Sequence, residues 1–578
     1  MQSPTLIPKK NWYVLSLLLF SMLMVVSCDS DTSSEEATDT ETAETEMAAV
    51  PQEADWYAYG KDQTNQRFSP LNEINTTNVA NLKKVWDFEL NNSEVQECTP
   101  IVIDGMMYVT TGSGPAYTYG INAKTGEKVW TKAFQVPDDV ARFACCGISN
   151  RGFAYQDGKL FVGRLDGKMT ALNAKSGEEL WTTEVVDYTQ GSVITSPPLV
   201  VGDVVLSGFG GGEYGAVGYL SAYNINTGER VWKTMTTPES VADTWKGESW
   251  KTGGGVPWYI GSYDEGTNTV IWGTSNPSPW DASMRGPDNS DYGDQTNLYT
   301  AATLGVNPAN GEIKWYYQTT PYDAWDYDGV NELVLADIQG QPAALKADRN
   351  GFFYVINRST GKLISAEKFV DVNWAEKIDL ETGRPVEDPK YRLTKTNTVS
   401  AVFPSFMGGK NWQPMAYNPQ TGMAYIPANN IGMDFKATET EYKRGYFYLG
   451  TEWNMVYNDK TPGEYIAWDV ANQKKAWSKP LQFPIPGGAA TTAGDLVFFG
   501  DLTGTFYALN AKTGEELWST KTTSGVGAAA MTYAIDGKQY VAVVEGRPTV
   551  IPGFVGGEMG ENMVNATPAG GKVLVYAL

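Results

Sequence analysis

One short pattern recurs along most of the chain and restricts its fold more than any other feature. A representative copy reads Gly-Ile-Asn-Ala-Lys-Thr-Gly-Glu-Lys-Val-Trp at residues 120–130. Each copy is typical of a strand, an Asx-type turn that closes at Gly, and a second strand that carries Trp at a fixed position. Further copies end at Trp181, Trp232, Trp315, Trp477 and Trp518, and degenerate copies lie around residues 355–365 and 416–426.

The number and spacing of these copies predict an all-β fold, an eight-bladed β-propeller over residues 54–578. The degenerate copies bring the count to eight, and successive copies are mostly separated by the length of one four-stranded blade. Gly-containing turns interrupt every segment, which argues against long helices. The 60 Gly, 19 Trp and 32 Tyr suit many short strands joined by tight turns. We expect the repeated Trp residues to dock between blades, and residues 85–90 to meet residues 572–578 where the ring closes.

The amino-terminal segment is typical of an exported lipoprotein. Lys9 and Lys10 precede an apolar run that ends in Val-Val-Ser-Cys, which looks like a lipobox. We predict a signal peptide over residues 1–27 and a lipid anchor on Cys28, with an uncleaved membrane anchor as the alternative. Residues 28–53 would form an acidic, disordered tether, because residues 29–53 contain nine Asp or Glu and neither Lys nor Arg. The remaining chain is expected on the periplasmic side of a bacterial membrane, lipid-anchored or, as the alternative, soluble in the periplasm.

The composition restricts the chemistry that the chain can perform. It contains no histidine, which excludes Ser-His-Asp triads, His-ligated zinc and the Cys-x-x-Cys-His haem attachment. Any base is therefore a carboxylate, Lys, Tyr or Cys, and a metal site would be built mainly from oxygen ligands. The net charge of −23 disfavours nucleic acid as a partner. A cation or a basic, electron-accepting protein is the better match.

Cys145 and Cys146 are neighbours in the sequence. Adjacent cysteines can be bridged only through a strained eight-membered ring, because ordinary disulfides separate the α-carbons and relax the torsion. Such a ring offers a stiff, flat sulfur surface, and a compartment outside the cytoplasm would preserve it. Two unrelated buried thiols are the alternative.

Three Gly-rich or aromatic-rich segments carry oxygen donors. Glu213 lies in residues 210–215, Asn276 in residues 253–280, and Asp326 and Asp328 in residues 320–332. Carboxylate and amide oxygens from different blades suit a hard cation at the mouth of a propeller. Each residue alone could instead cap a turn or face solvent.

From about residue 54 to the end, the repeats resemble the tryptophan-docking motif of quinoprotein dehydrogenases, which use pyrroloquinoline quinone (PQQ), and the three segments follow in that family's order. The resemblance implies that Glu213 and Asn276 bind a metal and that Asp326 is the general base and a further metal contact. Members that use a lanthanide resemble the Asp-Tyr-Asp pattern at 326–328, whereas calcium-using members typically lack the second Asp. Asp328 therefore favours a lanthanide ion over Ca²⁺, unless it only caps the following turn.

The same resemblance implies a pocket for PQQ. Trp258 and the Cys145–Cys146 ring would sandwich the flat quinone, and fixed Arg residues would grip its carboxylates. The residues that correspond to contacts with PQQ carboxylates and carbonyls are Glu97, Arg151, Thr195, Gly211, Gly212, Arg349 and Asn411. The chain departs from the family at Tyr322, where a His is common, and in residues 546–553, where an aromatic residue near the site is replaced. Both departures concern the substrate pocket.

These observations favour an exported PQQ-dependent alcohol dehydrogenase. It would oxidise a small primary alcohol, of the methanol or ethanol kind, to the aldehyde by hydride transfer to PQQ, with a metal as Lewis acid. Electrons would pass to an external acceptor, in the first place a cytochrome c. Two alternatives stay open: a calcium-dependent quinoprotein that acts on sugars or polyols, and a non-catalytic lipoprotein scaffold of outer-membrane assembly. The oligomeric state is open, a homodimer included.

Overall fold

A computed structural model describes residues 52–578, except residues 94, 113–115, 459 and 549. The predicted signal peptide, Cys28 and nearly all of the predicted tether lie outside the described residues. None of the helices in the described part is long and apolar enough to cross a bilayer.

Eight antiparallel sheets of at least four strands follow one another in the described chain, and we number them 1 to 8. Sheet 1 contains Ile101–Ile103, Met106–Thr110, Ala116–Asn122 and Lys128–Phe134, and sheet 2 contains Ala154–Gln156, Lys159–Gly163, Lys168–Asn173 and Glu179–Glu184. Sheet 3 contains Leu199–Val201, Val204–Ser207, Tyr219–Asn224 and Arg230–Met235, and sheet 4 contains Ser262–Asp264, Thr269–Gly273, Ala302–Val306 and Ile313–Gln318. Sheet 5 contains Val334–Ile338, Gln341–Ala347, Phe352–Asn357 and Leu363–Lys368, and sheet 6 contains Ala416–Asn418, Met423–Asn429, Gly463–Asp469 and Lys474–Leu481. Sheet 7 contains Ala490–Thr492, Leu496–Gly500, Thr505–Asn510 and Glu516–Lys521, and sheet 8 contains Met531–Ile535, Lys538–Gly546, Gly571–Ala577 and Lys83–Glu89.

The remaining elements are short and lie in the connections between these strands or before the first of them. Phe68–Ser69 adds a parallel strand to sheet 7, and two small sheets pair Ala375–Ile378 with Pro385–Glu387 and join Thr398–Val402, Ile431–Ala437 and Thr451–Tyr457. The α-helices are Val140–Phe143, Val550–Val555 and Gly557–Ala566. The 3-10 helices are Val79–Asn81, Tyr188–Gln190, Gly212–Tyr214, Glu239–Thr244, Ser249–Thr252, Glu265–Thr267, Ala282–Met284 and Pro389–Tyr391.

A repeated Trp joins most of the sheets to the next one. In sheet 1 the Trp130 indole N–H donates to the Ala174 carbonyl of sheet 2 at 2.9 Å. The ring also lies on Gly177, where an added Cβ would be 2.5 Å from Cε3 of Trp130, and Gly177 has a φ of +71°. The turn therefore needs Gly both for its backbone and for the close approach of the ring. Equivalent hydrogen bonds to the following sheet come from Trp181, Trp232 and Trp477.

The assignment of sequence copies to separate blades needs one correction. The degenerate copy at residues 416–426 falls on the first two strands of sheet 6, whose fourth strand carries Trp477. Two copies therefore belong to one sheet. Sheet 8 takes its fourth strand from Lys83–Glu89, and Trp86 of that strand packs on Gly126 of sheet 1. The all-β propeller fold is confirmed, whereas the count of eight blades stays a prediction with which the eight sheets agree.

The strands at the two ends of the propeller pair with each other, as expected. Lys83–Glu89 runs antiparallel to Gly571–Ala577, with Lys83 opposite Ala577 and Glu89 opposite Lys572. This pairing completes sheet 8 from both ends of the chain and closes the ring between the last sheet and the first.

The two ends of the strands carry different kinds of connection. In an antiparallel meander, the loops from the second to the third strand emerge on the same face as the loops that lead to the next sheet. We call this the site face. Every predicted site residue lies in a connection of one of these two kinds, whereas the repeated Asx turns join third to fourth strands on the opposite face. The repeat therefore holds the ring together, and the site face carries the candidate chemistry.

The segment before the first sheet runs along the innermost strands. First strands such as Ile101–Ile103 are fully buried, which identifies the inner side of the ring. Between residues 56 and 69, the segment makes backbone or side-chain hydrogen bonds to sheets 1, 3, 4, 5, 6, 7 and 8 in turn. The single side chain of Arg67 donates to the carbonyls of both Ala489 and Ala530. The segment thus fills the centre of the ring and links its sheets.

Candidate active site

A cavity of about 350 Å³ opens on the site face. Its walls come from connections of several sheets and from the helix Val550–Val555. The predicted residues that line it are Cys145, Cys146, Arg151, Thr195, Gly211, Glu213, Trp258, Asp326, Asp328, Arg349 and Asn411. Glu97, Gly212 and Asn276 are buried behind this lining. The structure therefore brings the predicted residues together, although three of them lie in the layer behind.

The adjacent cysteines form a disulfide in one wall of the cavity. Cys145 and Cys146 are bonded, so the alternative of two separate thiols is wrong. The two sulfur atoms and a carboxylate oxygen of Glu213 all lie within 4.8 Å of one another. The flat sulfur surface is thus next to the first of the oxygen donors.

Asp328 is at the centre of a polar group that joins four connections. Its Oδ1 accepts the backbone N–H of Asn276 at 2.8 Å, and its Oδ2 accepts the indole N–H of Trp258 at 2.9 Å. Arg349 forms an ion pair with Oδ2 of Asp328 at 2.8 Å and donates a hydrogen bond to Oδ2 of Asp326 at 3.1 Å. Asp326 itself has a φ of +63°, a conformation that costs free energy in a residue other than Gly and recurs at functional sites.

The electrostatics of this group suit a bound cation. Glu213, Asp326 and Asp328 bring three carboxylates to one guanidinium, that of Arg349. Burial, and then the charge of Asp328, raise the pKa of Glu213 to about 7. Burial also raises the pKa of Asp326 well above its usual range, although Arg349 opposes this. A cation at this position would relieve the repulsion between the carboxylates.

Two buried oxygen atoms supply a direct test of whether a metal fits. Within the described residues, Oδ1 of Asn276 and Oδ1 of Asp326 have no hydrogen-bond partner. A buried acceptor without a partner costs about 1–3 kcal/mol, and a hard cation is bound by oxygens of this kind. Both residues are held at another atom, Asn276 by Asp328 and Asp326 by Arg349. The donor set therefore fits a hard cation.

Arg151 supplies a second fixed positive charge in the cavity wall. It ion-pairs with Glu97 at 2.8 Å and donates to Oγ1 of Thr195 at 2.8 Å. Its guanidinium lies 4.5 Å from the ring centre of Trp412 and 5.6 Å from that of Trp258. Burial raises the pKa of Glu97, and the charge of Arg151 opposes the shift. Glu97 thus acts on the cavity through Arg151, since it does not line the cavity itself.

An apolar wall completes the cavity, and the sequence did not predict it. Ring centres of Trp280 and Phe406 are 5.4 Å apart, as are those of Trp280 and Trp453, and Phe406 contacts Phe554 edge to face at 5.6 Å. Phe554 directly follows residues 546–553, where the sequence suggested that an aromatic residue is replaced, and its own ring lines the cavity. Such a wall excludes water and offers an apolar surface to a ligand.

Tyr322 stands outside the cavity. It is fully buried, and its hydroxyl contacts the carbonyls of Ala282 and Pro287, each at 2.6 Å. The ring centres of Tyr322 and Tyr292 are 5.1 Å apart, and both residues precede Asp326 in the sequence. Tyr322 therefore holds neighbouring loops together and does not line the place where a ligand would bind.

Comparisons with known proteins give a consistent result. A family model described as "PQQ: Glucose/ethanol/alcohol dehydrogenase, beta-propeller domain" matches residues 56–374 and 385–541. The chain is 36% identical over 595 residues to the quinoprotein alcohol dehydrogenase PedH of Pseudomonas putida. The aligned region covers 97% of this chain and 96% of the relative. It is 37% identical over 571 residues to the lanthanide-dependent methanol dehydrogenase of Methylacidiphilum fumariolicum, covering 90% and 92%. A solved structure named europium-containing methanol dehydrogenase superposes with a TM-score of 0.87 at 36% identity, covering 91% of this chain and 98% of that one.

Proposed function

Because the chain belongs to the family of PQQ-dependent alcohol dehydrogenases, we propose that it oxidises a small primary alcohol to the aldehyde with the help of PQQ and a lanthanide ion. Family membership establishes a PQQ-dependent alcohol dehydrogenase that uses PQQ and a metal and needs an external electron acceptor. The scaffold alternative has no support among these relatives. The identity of the alcohol, the metal and the acceptor, and the role of each residue, are the content of the proposal.

One observation carries the residue assignments. The Cys145–Cys146 disulfide and Trp258 line one cavity with three carboxylates, beside two buried oxygens that lack partners within the described chain. The disulfide and the indole offer flat surfaces for a planar quinone, and Arg151 and Arg349 offer fixed charges for its carboxylates and carbonyls. Thr195, Gly211 and Asn411 line the same cavity, whereas Glu97 and Gly212 support it from behind.

The metal in this proposal is a lanthanide ion. Glu213, Asn276, Asp326 and Asp328 would hold it, and Asp328 adds the negative charge that a trivalent ion requires more than Ca²⁺ does. The names of the Methylacidiphilum relative and of the europium-containing structure support this choice. A calcium-dependent enzyme for sugars or polyols is the second candidate, and the apolar wall of Trp280, Phe406 and Phe554 does not favour such polar substrates.

Asp326 is the proposed base for the hydroxyl proton of the alcohol. When bound, PQQ supplies a hydride acceptor and the metal supplies a Lewis acid. Arg349 engages Oδ2 of Asp326, and the two lone-pair sites of Oδ1, which has no partner among the described residues, would be divided between the metal and the hydroxyl proton. The apolar wall keeps water from the reacting atoms.

Electrons would leave to a separate protein, in the first place a cytochrome c. This chain has no histidine and hence no Cys-x-x-Cys-His haem attachment. We place the enzyme on the periplasmic side of the membrane, anchored through lipidated Cys28. The lipobox-like sequence before Cys28 supports this location.

Reconstitution separates the candidates. Apoprotein loaded with PQQ and either La³⁺ or Ca²⁺ is assayed with an artificial acceptor on primary alcohols, polyols and sugars. We expect La³⁺ to support turnover of small primary alcohols, Asp326→Ala to abolish it, and Asp328→Ala to lose the La³⁺-supported rate selectively. Turnover with Ca²⁺ alone would refute the metal assignment, and turnover confined to sugars or polyols would refute the substrate.

A further inference from the structure

The ring nitrogen of Trp258 contacts a candidate metal ligand directly. Its Nε1–H donates to Oδ2 of Asp328 at 2.9 Å. Trp258 lies in the connection between sheets 3 and 4, and Asp328 in the connection between sheets 4 and 5. The contact therefore joins the wall that would stack on the quinone to the carboxylate that would select the metal. Stacking alone needs only the ring face and does not account for the hydrogen bond.

The two carboxylate oxygens of Asp328 differ in how many groups already contact them. Each carboxylate oxygen has two lone-pair sites. Oδ2 accepts Trp258 Nε1–H and lies 2.8 Å from Nη2 of Arg349 in an ion pair, so two positively polarised groups already occupy this oxygen. Among the described residues, Oδ1 accepts only the backbone N–H of Asn276, at 2.8 Å, which leaves one site. The remaining site is on the oxygen held by Asn276, whose own side-chain oxygen is buried without a partner in the described structure.

Arg349 alone would not fix this arrangement. Its guanidinium is shared between Asp326, Asp328 and the carbonyl of Phe406. The indole N–H of Trp258, in contrast, is directed at Asp328. The Trp258 backbone is itself held, because its carbonyl accepts the hydroxyl of Ser196 at 2.9 Å and its N–H donates to the carbonyl of Val256 at 3.0 Å.

We propose that Trp258 is a positioning residue for the metal: with Arg349 it occupies Oδ2 of Asp328, so that the carboxylate presents Oδ1 alone to the cation beside Asn276. This inference rests on the proposed role of Asp328 as a metal ligand. It gives Trp258 a second task besides forming the pocket wall, and it makes metal affinity depend on a residue that does not bind the metal.

The test measures metal affinity without turnover. La³⁺ binding to the metal-free protein is followed by competition with a coloured chelator, for wild type and Trp258→Phe. Loss of a hydrogen-bond partner of a metal ligand typically weakens metal binding about 10- to 100-fold, so we expect at least about a tenfold loss. Trp280→Phe is the matched control, because Trp280 lines the same cavity and its Nε1 has no hydrogen-bond partner among the described residues. Its affinity should equal that of wild type.

A double-variant cycle assigns the effect to Asp328. Asp328→Asn weakens La³⁺ binding by itself, and adding Trp258→Phe should then cause little further loss. Unchanged La³⁺ affinity in Trp258→Phe would overturn the inference alone, as would an equal loss in the wild-type and Asp328→Asn backgrounds. Absence of La³⁺ binding to wild type would overturn the proposed metal and, with it, this inference.

Discussion

The contact between Trp130 and Gly177 predicts how sensitive the ring is to one added methyl group. Gly177 has a φ of +71°, and a Cβ at this position would lie 2.5 Å from Cε3 of Trp130. Gly177→Ala therefore combines two effects. A left-handed backbone costs about 1–2 kcal/mol in a residue other than Gly. Overpacking against a ring that cannot easily move costs about 1–3 kcal/mol more.

Gly105→Ala is the matched control. Gly105 has nearly the same φ, +73°, but an added Cβ there would meet no atom within 4 Å. It should lose only the backbone part, about 1–2 kcal/mol, whereas Gly177→Ala should lose about 2–5 kcal/mol in the free energy of unfolding. Urea denaturation midpoints, read by Trp fluorescence and compared at constant m, measure the difference.

A second background isolates the indole. The new methyl group would meet Cε3, Cδ2 and Cζ3 of Trp130, at 2.5, 2.7 and 3.0 Å, and Trp130→Phe removes Cε3 and Cζ3 but keeps a ring carbon near the position of Cδ2. The excess loss of Gly177→Ala over Gly105→Ala should then shrink. Equal losses in the two Gly variants, or an excess that persists undiminished in the Trp130→Phe background, would refute the argument that the repeated Gly is required by the docked ring.

Three further predictions concern the cavity. Arg151→Met should weaken PQQ binding at least about tenfold, since a charge-assisted hydrogen bond contributes about 1.5–3 kcal/mol. Adding Glu97→Gln should recover the stability of the protein but not its affinity for PQQ. PQQ titration measures the affinity, and thermal unfolding measures the stability. Phe554→Ala should raise kcat/KM for bulkier primary alcohols relative to ethanol, and an unchanged ratio would show that this ring does not limit the substrate. Removal of the metal with a chelator should lower the melting temperature, because three carboxylates then share one guanidinium; a melting temperature that La³⁺ does not restore would contradict the metal site.

The sequence predicted the packing of the sheets because every copy of the pattern carries both partners of one contact. The Asx turn and the Trp are separated by a fixed number of residues in each copy, and the Trp of one sheet packs on the turn Gly of the next. The copy at residues 416–426 was misassigned because the turn between first and second strands of sheet 6 also contains Asn and Gly, at Asn418 and Gly422. Turn composition alone does not tell which pair of strands a turn connects.

The site was predictable where chemistry leaves few choices and unpredictable where packing decides. Adjacent cysteines and an Asp-Tyr-Asp pattern are rare enough to identify, and the structure brings both to one cavity. Trp280, Phe406 and Phe554 come from distant connections, and a large apolar residue in a loop has no spacing that would reveal its partners. The hydrogen bond from Trp258 to Asp328 was equally hidden, because it depends on the relative position of two connections between sheets.

The pairing of Lys83–Glu89 with Gly571–Ala577 has a consequence for the order in which the molecule is made. Lys83–Glu89, which completes sheet 8, is synthesised before the four antiparallel strands of each of sheets 1 to 7, and its partner is synthesised after them. Apart from Phe68–Ser69 in sheet 7, each of sheets 1 to 7 takes its strands from one continuous part of the chain and can assemble as the chain grows, but sheet 8 cannot. Until the final strand arrives, Lys83–Glu89 has an open edge that could pair with another chain. Sheet 8 therefore closes only when Gly571–Ala577 is present. A chain cut short before these residues would leave Lys83–Glu89, near the other end of its sequence, as an unpaired and aggregation-prone edge strand.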